Sequence, residues 1–190
     1  MNAKDPFTRS AAPGFSNPDD DVAAVDASEA ARINDVDVSA IRALRDTACA
    51  APGVATTSWQ VSTRWALGCD DQAHRFGRGE AGEGDPTPQE QLLGVVNTCL
   101  LLGLRTRCAL DRLQLDMIEV TTTGEMDLRG VVGLPTPEPG VRGITLNIVI
   151  EAQAGEGRLR RLAREALEAS PVLSTLRGAV SLSSEIVIRG

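Results

Sequence analysis

The residue best placed to do chemistry in this 190-residue chain is Cys99, a cysteine in the middle of an apolar run. Leu92 to Leu104 carries no charge and is almost entirely apolar, with Gln89-Glu90-Gln91 before it and Arg105 after it. A cysteine in such surroundings is either an inert small hydrophobe or a thiol held beside an apolar molecule. The other cysteines, Cys49, Cys69 and Cys108, form no CxxC pair with it or with each other. With His74 the single histidine, a structural zinc site is not expected, because tetrahedral zinc wants closely spaced Cys and His ligands. His74 could act as a base toward Cys69 or Cys99, although a lone histidine in a polar strand is more often simply solvated. Ser170-Pro171 is explained by helix capping, and a nucleophilic serine there would still need a base.

Composition narrows the partners. The net charge is −7 and the pI near 4.8, with acidic and basic residues interspersed. Nucleic acid would call for clustered Lys and Arg, so no nucleic-acid partner is expected. A membrane span needs about 20 apolar residues, so the run around Cys99 reads as a buried core helix and no membrane partner is expected. The N-terminus lacks the apolar core of a signal peptide, which makes a cytoplasmic location, with its thiols reduced, the expectation. Residues 1–30 are rich in Asp, Ala, Ser, Pro and Gly, include Asp19-Asp20-Asp21, and read as a disordered acidic arm. Residues 31–190 form the domain, and its scarce aromatics require an aliphatic core.

The elements that must position Cys99 follow from periodicity. Val38, Ile41, Leu44 and Ala48 keep helical spacing, with Asp37 or Ser39 as a cap and Ala51-Pro52-Gly53 as the stop. Trp59, Val61, Thr63 and Trp65 alternate like a half-buried strand, and a second strand is expected from Gln72 to Phe76. Thr87-Pro88 opens the Cys99 helix, where proline's missing N–H costs nothing. Gly94 and Gly103 inside it weaken it by about 1 kcal/mol each and make sense if another backbone packs close. Strands are expected over Leu113–Thr123, Val141–Glu151 and Ala179–Ile188, with a turn-rich segment over Gly124–Gly140. Helices are expected over Arg158–Ala169 and from Pro171 through Leu176. The order gives an α+β domain with a mostly antiparallel sheet.

Several separated motifs then resemble one family. Pro88-x-Glu90-x-Leu92-Leu93 followed by Cys99 is similar to the central-helix signature of the OsmC/Ohr family of thiol-dependent hydroperoxide reductases. Gly124-Glu-Met-Asp-Leu-Arg-Gly-Val-Val-Gly-Leu134, Pro139-Gly-Val-Arg-Gly-Ile144 and Ser170-Pro171-Val172 resemble one OsmC-like subgroup, so the likeness covers roughly residues 33 to 190.

The resemblance implies an intertwined homodimer whose sheets wrap two central helices, with thiol sites at the interface. It implies a peroxidatic thiolate at Cys99, tuned by a glutamate and an arginine, and no cofactor. Glu90 stands one residue beyond the family's glutamate position, which here is Gln89. Arg64, Arg75 and Arg78 are the candidate arginines. Ser170 occupies the place of the second, resolving cysteine and cannot close a disulfide. Cys108 lies nine residues on, about 13 Å along the same helix and facing another side, too far to bridge; Cys69 is the better substitute.

Two functions follow. One is a one-cysteine thiol peroxidase that reduces small organic hydroperoxides through Cys99 and is recycled by an external thiol reductant. The other is a catalytically silent OsmC-like dimer that binds a small apolar ligand at its interface.

Overall fold

The computed structural model describes residues 32–69, 73–77, 86–135 and 140–189. The expected arm over 1–30, Arg78 and the start of the second expected strand at Gln72 lie outside them. The chain divides into two compact units, one through Ile41 and the other from Arg42 onward.

In the first unit, β1 (Arg32–Ile33) and β2 (Val36–Asp37) pair antiparallel, Ile33 opposite Val36. The two turn residues, Asn34 and Asp35, have φ of 51° and 62°. A tight hairpin turn needs positive φ at both positions, which Asn and Asp tolerate better than other side-chain-bearing residues. Asp37 then caps α1 (Val38–Ala50), its Oδ1 accepting from the Ala40 N–H at 3.0 Å.

The second unit is built on a five-stranded sheet in the order β4-β3-β5-β6-β7. Its strands are β3 (Thr56–Ala66), β4 (Ala73–Gly77), β5 (Met117–Asp127), β6 (Val141–Glu151) and β7 (Ser181–Arg189). All pairings are antiparallel except β6 with β7. Parallel neighbours need a crossover, which α3 (Glu156–Ala169) and α4 (Pro171–Arg177) supply. The molecule is therefore α+β with a mostly antiparallel sheet, as its sequence pattern predicts.

The central helix α2 (Pro88–Leu110) lies on one face of this sheet. Thr87 opens it with a capping box: its hydroxyl accepts from the Glu90 N–H, and the Glu90 carboxylate accepts from the Thr87 N–H at 2.8 Å. Leu93, Val96, Leu100, Leu101 and Leu104 are buried against Val61, Ile118, Val120, Ile144, Leu146 and Ile148. By length and composition alone α2 could cross a bilayer, but this burial makes it the core helix of the domain. The α3 face Leu159, Leu162, Ala163, Ala166 and Leu167 closes the other side of the core. Arg158 from α3 bonds the Asp111 carboxylate at 2.7 Å and also its backbone carbonyl, capping the end of α2.

The structure shifts two expectations. The third long strand begins at Met117 rather than Leu113 and runs to Asp127. Arg112 takes φ 54° after the helix, and the buried Leu113 and Leu115 anchor the connection instead. The start of the expected turn-rich segment, Gly124 to Asp127, is still strand because it pairs with Thr56 to Trp59 of β3 and buries Met126 and Asp127. Nor do Gly94 and Gly103 admit a close backbone within this chain: a Cβ would meet Phe76 at 4.0 Å at the first and nothing at the second. The close approach is at Gly124 of β5, where a Cβ would stand 3.2 Å from Leu93 Cδ2 of α2.

At the end of β5, buried Asp127 binds Arg129 at 2.6 Å and also Arg142 of β6. The Arg129 side-chain and backbone bonds, then the Arg142 charge, hold the Asp127 carboxyl well below the usual range. A depressed folded-state pKa stabilises above the unfolded value of about 3.9 and is lost as pH falls below it. Asp127→Asn is therefore expected to lower the melting temperature at neutral pH. The gap from wild type should close as pH is taken below about 4, a convergence that calorimetry at a series of pH values would reveal.

Candidate functional site

Helical geometry decides which way each residue of α2 looks. Successive side chains turn by about 100°, so Cys99 points about 200° away from Asn97. Asn97 is fully buried, whereas Cys99 is half-buried. On the Cys99 side, Val95 and Leu102 are exposed at 52% and 59%. With His74 and Phe76 of β4 and with Gln91, Gly94 and Thr98, these residues line an open groove of about 600 Å³. Its walls are overwhelmingly apolar.

Among the described residues the sulfur has one hydrogen-bonding neighbour. Cys99 Sγ lies 3.4 Å from Ser170 Oγ. Ser170 is buried as the N-cap of α4, its Oγ accepting from the Leu173 N–H at 3.4 Å. With that oxygen accepting, its hydroxyl hydrogen is available to the sulfur, and an ionised sulfur can only accept. Ser-Pro thus does cap a helix, and it also brings a hydroxyl to the thiol.

The remaining expected site residues lie elsewhere. Glu90 is buried in the capping box, its Oε2 also accepting from Thr87 Oγ1 at 2.9 Å. Arg64 and Arg75 are not brought to Cys99 within this chain. On β3, Val61, Thr63 and Trp65 turn inward, so Arg64 between them faces the opposite side of the sheet. Arg75 sits opposite Ser62 in the β3–β4 register, on that same outer side, while its neighbours His74 and Phe76 line the groove. Cys69 is exposed in the turn after β3 and is not among the groove residues. Cys108 is fully buried, and burial first, then the nearby Asp111 charge, pushes its thiol up to about 11.

A buried polar network joins α2 to the sheet behind the groove. Asn97 Nδ2 donates to the Val61 carbonyl at 2.9 Å and to Thr63 Oγ1 at 3.0 Å. Thr122 Oγ1 donates to Asn97 Oδ1. Thr63 Oγ1 lies 3.0 Å from His74 Nδ1, and the imidazole stacks on Phe76 with centroids 6.2 Å apart. Sequence reasoning passed over Asn97. Its signal was available: an amide within a run of aliphatic residues must find partners if the run is buried.

Comparison with known proteins places this architecture. The family model described as OsmC-like protein matches residues 79–185, more than half of the chain. An OsmC-like protein of Mycoplasma pneumoniae is similar in fold at 16% identity and a TM-score of 0.52, covering 68% of this chain and 96% of that one. An organic hydroperoxide resistance protein OsmC of Legionella pneumophila aligns at 16% identity and a TM-score of 0.46, over 66% of this chain and 96% of its own. The organic hydroperoxide resistance protein OhrB of Bacillus subtilis aligns at 16% identity and a TM-score of 0.41, over 66% and 96%. No curated protein matches the sequence.

Two outcomes are expected. Asn97→Leu strips partners from the Thr63 and Thr122 hydroxyls and the Val61 carbonyl, and should cost about 2–4 kcal/mol in urea unfolding. Thiol titration of the native protein at neutral pH should leave Cys108 untouched, since a thiol titrating near 11 is ionised to only about one part in ten thousand. It should become reactive only on denaturation.

Proposed function

The chain belongs to the OsmC-like protein family, and we propose that within it this protein is a one-cysteine thiol peroxidase for small apolar organic hydroperoxides. The observation that carries the proposal is the half-buried Cys99 sulfur on the wall of an apolar groove, with the Ser170 hydroxyl 3.4 Å away. A hydroperoxide would lay its hydrocarbon body along Phe76, Val95 and Leu102 and offer its O–OH end to the sulfur. The thiolate attacks the terminal oxygen and the O–O bond breaks. Cys99 becomes a sulfenic acid, and the departing alkoxide takes up a proton to leave as an alcohol. Ser170 offers a hydroxyl where a second cysteine would resolve the sulfenate. An external thiol therefore condenses with it, releasing water, and a second such thiol restores Cys99 and leaves as a disulfide.

The exposed α2 stripe of Val95, Leu102 and Leu110 belongs to the same proposal. A second copy of the chain would cover it and close the groove, making the working unit a homodimer. Leu102→Asp should then shift the protein to monomer in light scattering behind size exclusion.

One observation favours a second reading. Among the described residues, those lining the groove include no arginine, as suits a dimer that binds a small apolar ligand without reacting with it. The two separate under near-stoichiometric cumene hydroperoxide with a sulfenic-acid trap, read by mass spectrometry. Trap adduct at Cys99, lost in Cys99→Ser, is expected for the peroxidase; an unmodified Cys99 would leave only the binding protein. A further variant tests the geometry. The two side chains already meet, so Ser170→Cys should give a disulfide to Cys99 on peroxide treatment, visible as a loss of two mass units and of both thiols.

A further inference from the structure

We infer that His74 is the polar anchor of the Cys99 groove: a neutral imidazole held with Nδ1 as acceptor, so that its Nε2–H donates to an oxygen atom of the apolar ligand. The inference deepens the groove reading above and rests on the groove taking such a ligand, not on turnover.

The protonation pattern follows from counting hydrogens outward from the core. The Val61 carbonyl can only accept, so the Asn97 atom facing it must be the amide nitrogen. The amide oxygen is then correctly placed to accept from Thr122 Oγ1. The nitrogen's second hydrogen goes to Thr63 Oγ1 at 3.0 Å. Thr63 is fully buried, so its own hydroxyl hydrogen needs an acceptor. Among the described residues His74 Nδ1, 3.0 Å away, is the one in reach. Nδ1 must then carry the lone pair and Nε2 the proton. The reverse tautomer would leave the Thr63 hydroxyl hydrogen buried and unpaired, a costly arrangement.

Position gives this tautomer a use. His74 stands directly opposite Thr63 in the β3–β4 register, hence on the face of the sheet that carries α2. It lines the groove beside Phe76, Val95, Cys99 and Leu102. Thr63 occupies one ring nitrogen, Phe76 stacks on the ring, and Nε2 lies on the ring edge away from Thr63. Of the other polar wall residues, Gln91 already turns its amide nitrogen to the Pro86 carbonyl at 3.0 Å. An apolar groove with a fixed N–H selects a ligand with a hydrocarbon body and an acceptor oxygen near one end. A pure hydrocarbon lacks the second feature and a cation cannot accept.

A single histidine makes the test clean. Long-range proton–nitrogen NMR correlation on the uniformly labelled full chain, at about pH 8.5 where a free imidazole is neutral, should give the Nε2–H pattern for His74. Thr63→Val should collapse it to a mixture. An Nδ1–H pattern, or a mixture already in the wild type, overturns the proposal. The second arm uses acetophenone and ethylbenzene, matched in body and differing in the acceptor oxygen, titrated into the same NMR sample. The ratio of their affinities should fall by about fivefold in His74→Phe, the size of one ordinary net hydrogen bond. It should hold within about twofold in His74→Gln, whose amide nitrogen reaches the place of Nε2. An unchanged ratio in His74→Phe, or no binding of either probe to wild type, overturns the proposal. Neither probe is a peroxide, so failure of the peroxidase reading shows only as an untrapped Cys99 and leaves both arms readable.

Discussion

The geometry of this site depends on one buried amide. Apolar burial alone would hold α2 against the sheet at almost any rotation about its axis, because its exposed side also carries Val95, Leu102 and Leu110. Hydrophobic attraction is non-directional and does not choose between such faces. Asn97 does choose. Its amide is satisfied only when it meets the Val61 carbonyl and the Thr63 and Thr122 hydroxyls together, and a buried amide without partners would be costly. The rotation that satisfies Asn97 is the one that turns Cys99 out into the groove. The polar pairing sets the register, and the apolar contacts supply the bulk of the adhesion.

Once that rotation is set, the neighbours of the thiol are decided by sheet topology. The parallel β6–β7 pair demands a crossover, and the crossover brings the start of α4 to the flank of α2. The residue at that helix start must cap it, and serine is a good cap. In the same place a cysteine would cap poorly but could resolve a sulfenate. Ser170 therefore gains a secure helix start and a hydroxyl beside the sulfur while giving up internal disulfide chemistry. In the proposed reaction that loss moves the resolving step to an outside thiol, which must reach the sulfur by the same route as the substrate.

Much of the fold was legible because local signals were strong and agreed with one another. Thr87-Pro88 with Glu90 marks a capped helix start, Ile144, Leu146, Ile148 and Ile150 alternate without a break, and Ser170-Pro171 opens α4, all as the structure has them. The end of β5 was not legible, because Gly124 followed by Glu125 and Asp127 looks like a turn unless its pairing with Thr56 to Trp59 of β3 is known. The site divided differently. Cys99 stood out from its surroundings, and Ser170 was brought to it only by the family likeness, since seventy-one residues of chain separate the two. The outward direction of Arg64 was in fact readable from the alternation of Val61, Thr63 and Trp65 around it. Arg75 could be placed only once the β3–β4 register was known. His74 was visible as a lone histidine, but its fixed tautomer depends on three residues from other elements and has no sequence signal of its own.

The contrast between two cysteines on one helix shows why residue type says so little here. Cys108 lies eleven residues after Asn97, about three full turns, and so returns to the inward face. There it is sealed in the hydrophobic core, and burial pushes its thiol up to about 11. Cys99 lies only two residues from Asn97 and faces the other way. It has an open groove, a hydroxyl neighbour and access for a second molecule. Exchange the two azimuths and the same sequence composition would bury Cys99 and expose Cys108. Whatever chemistry the groove performs is therefore assigned by the rotation of α2, and the amide that fixes that rotation belongs to the site as much as the sulfur does.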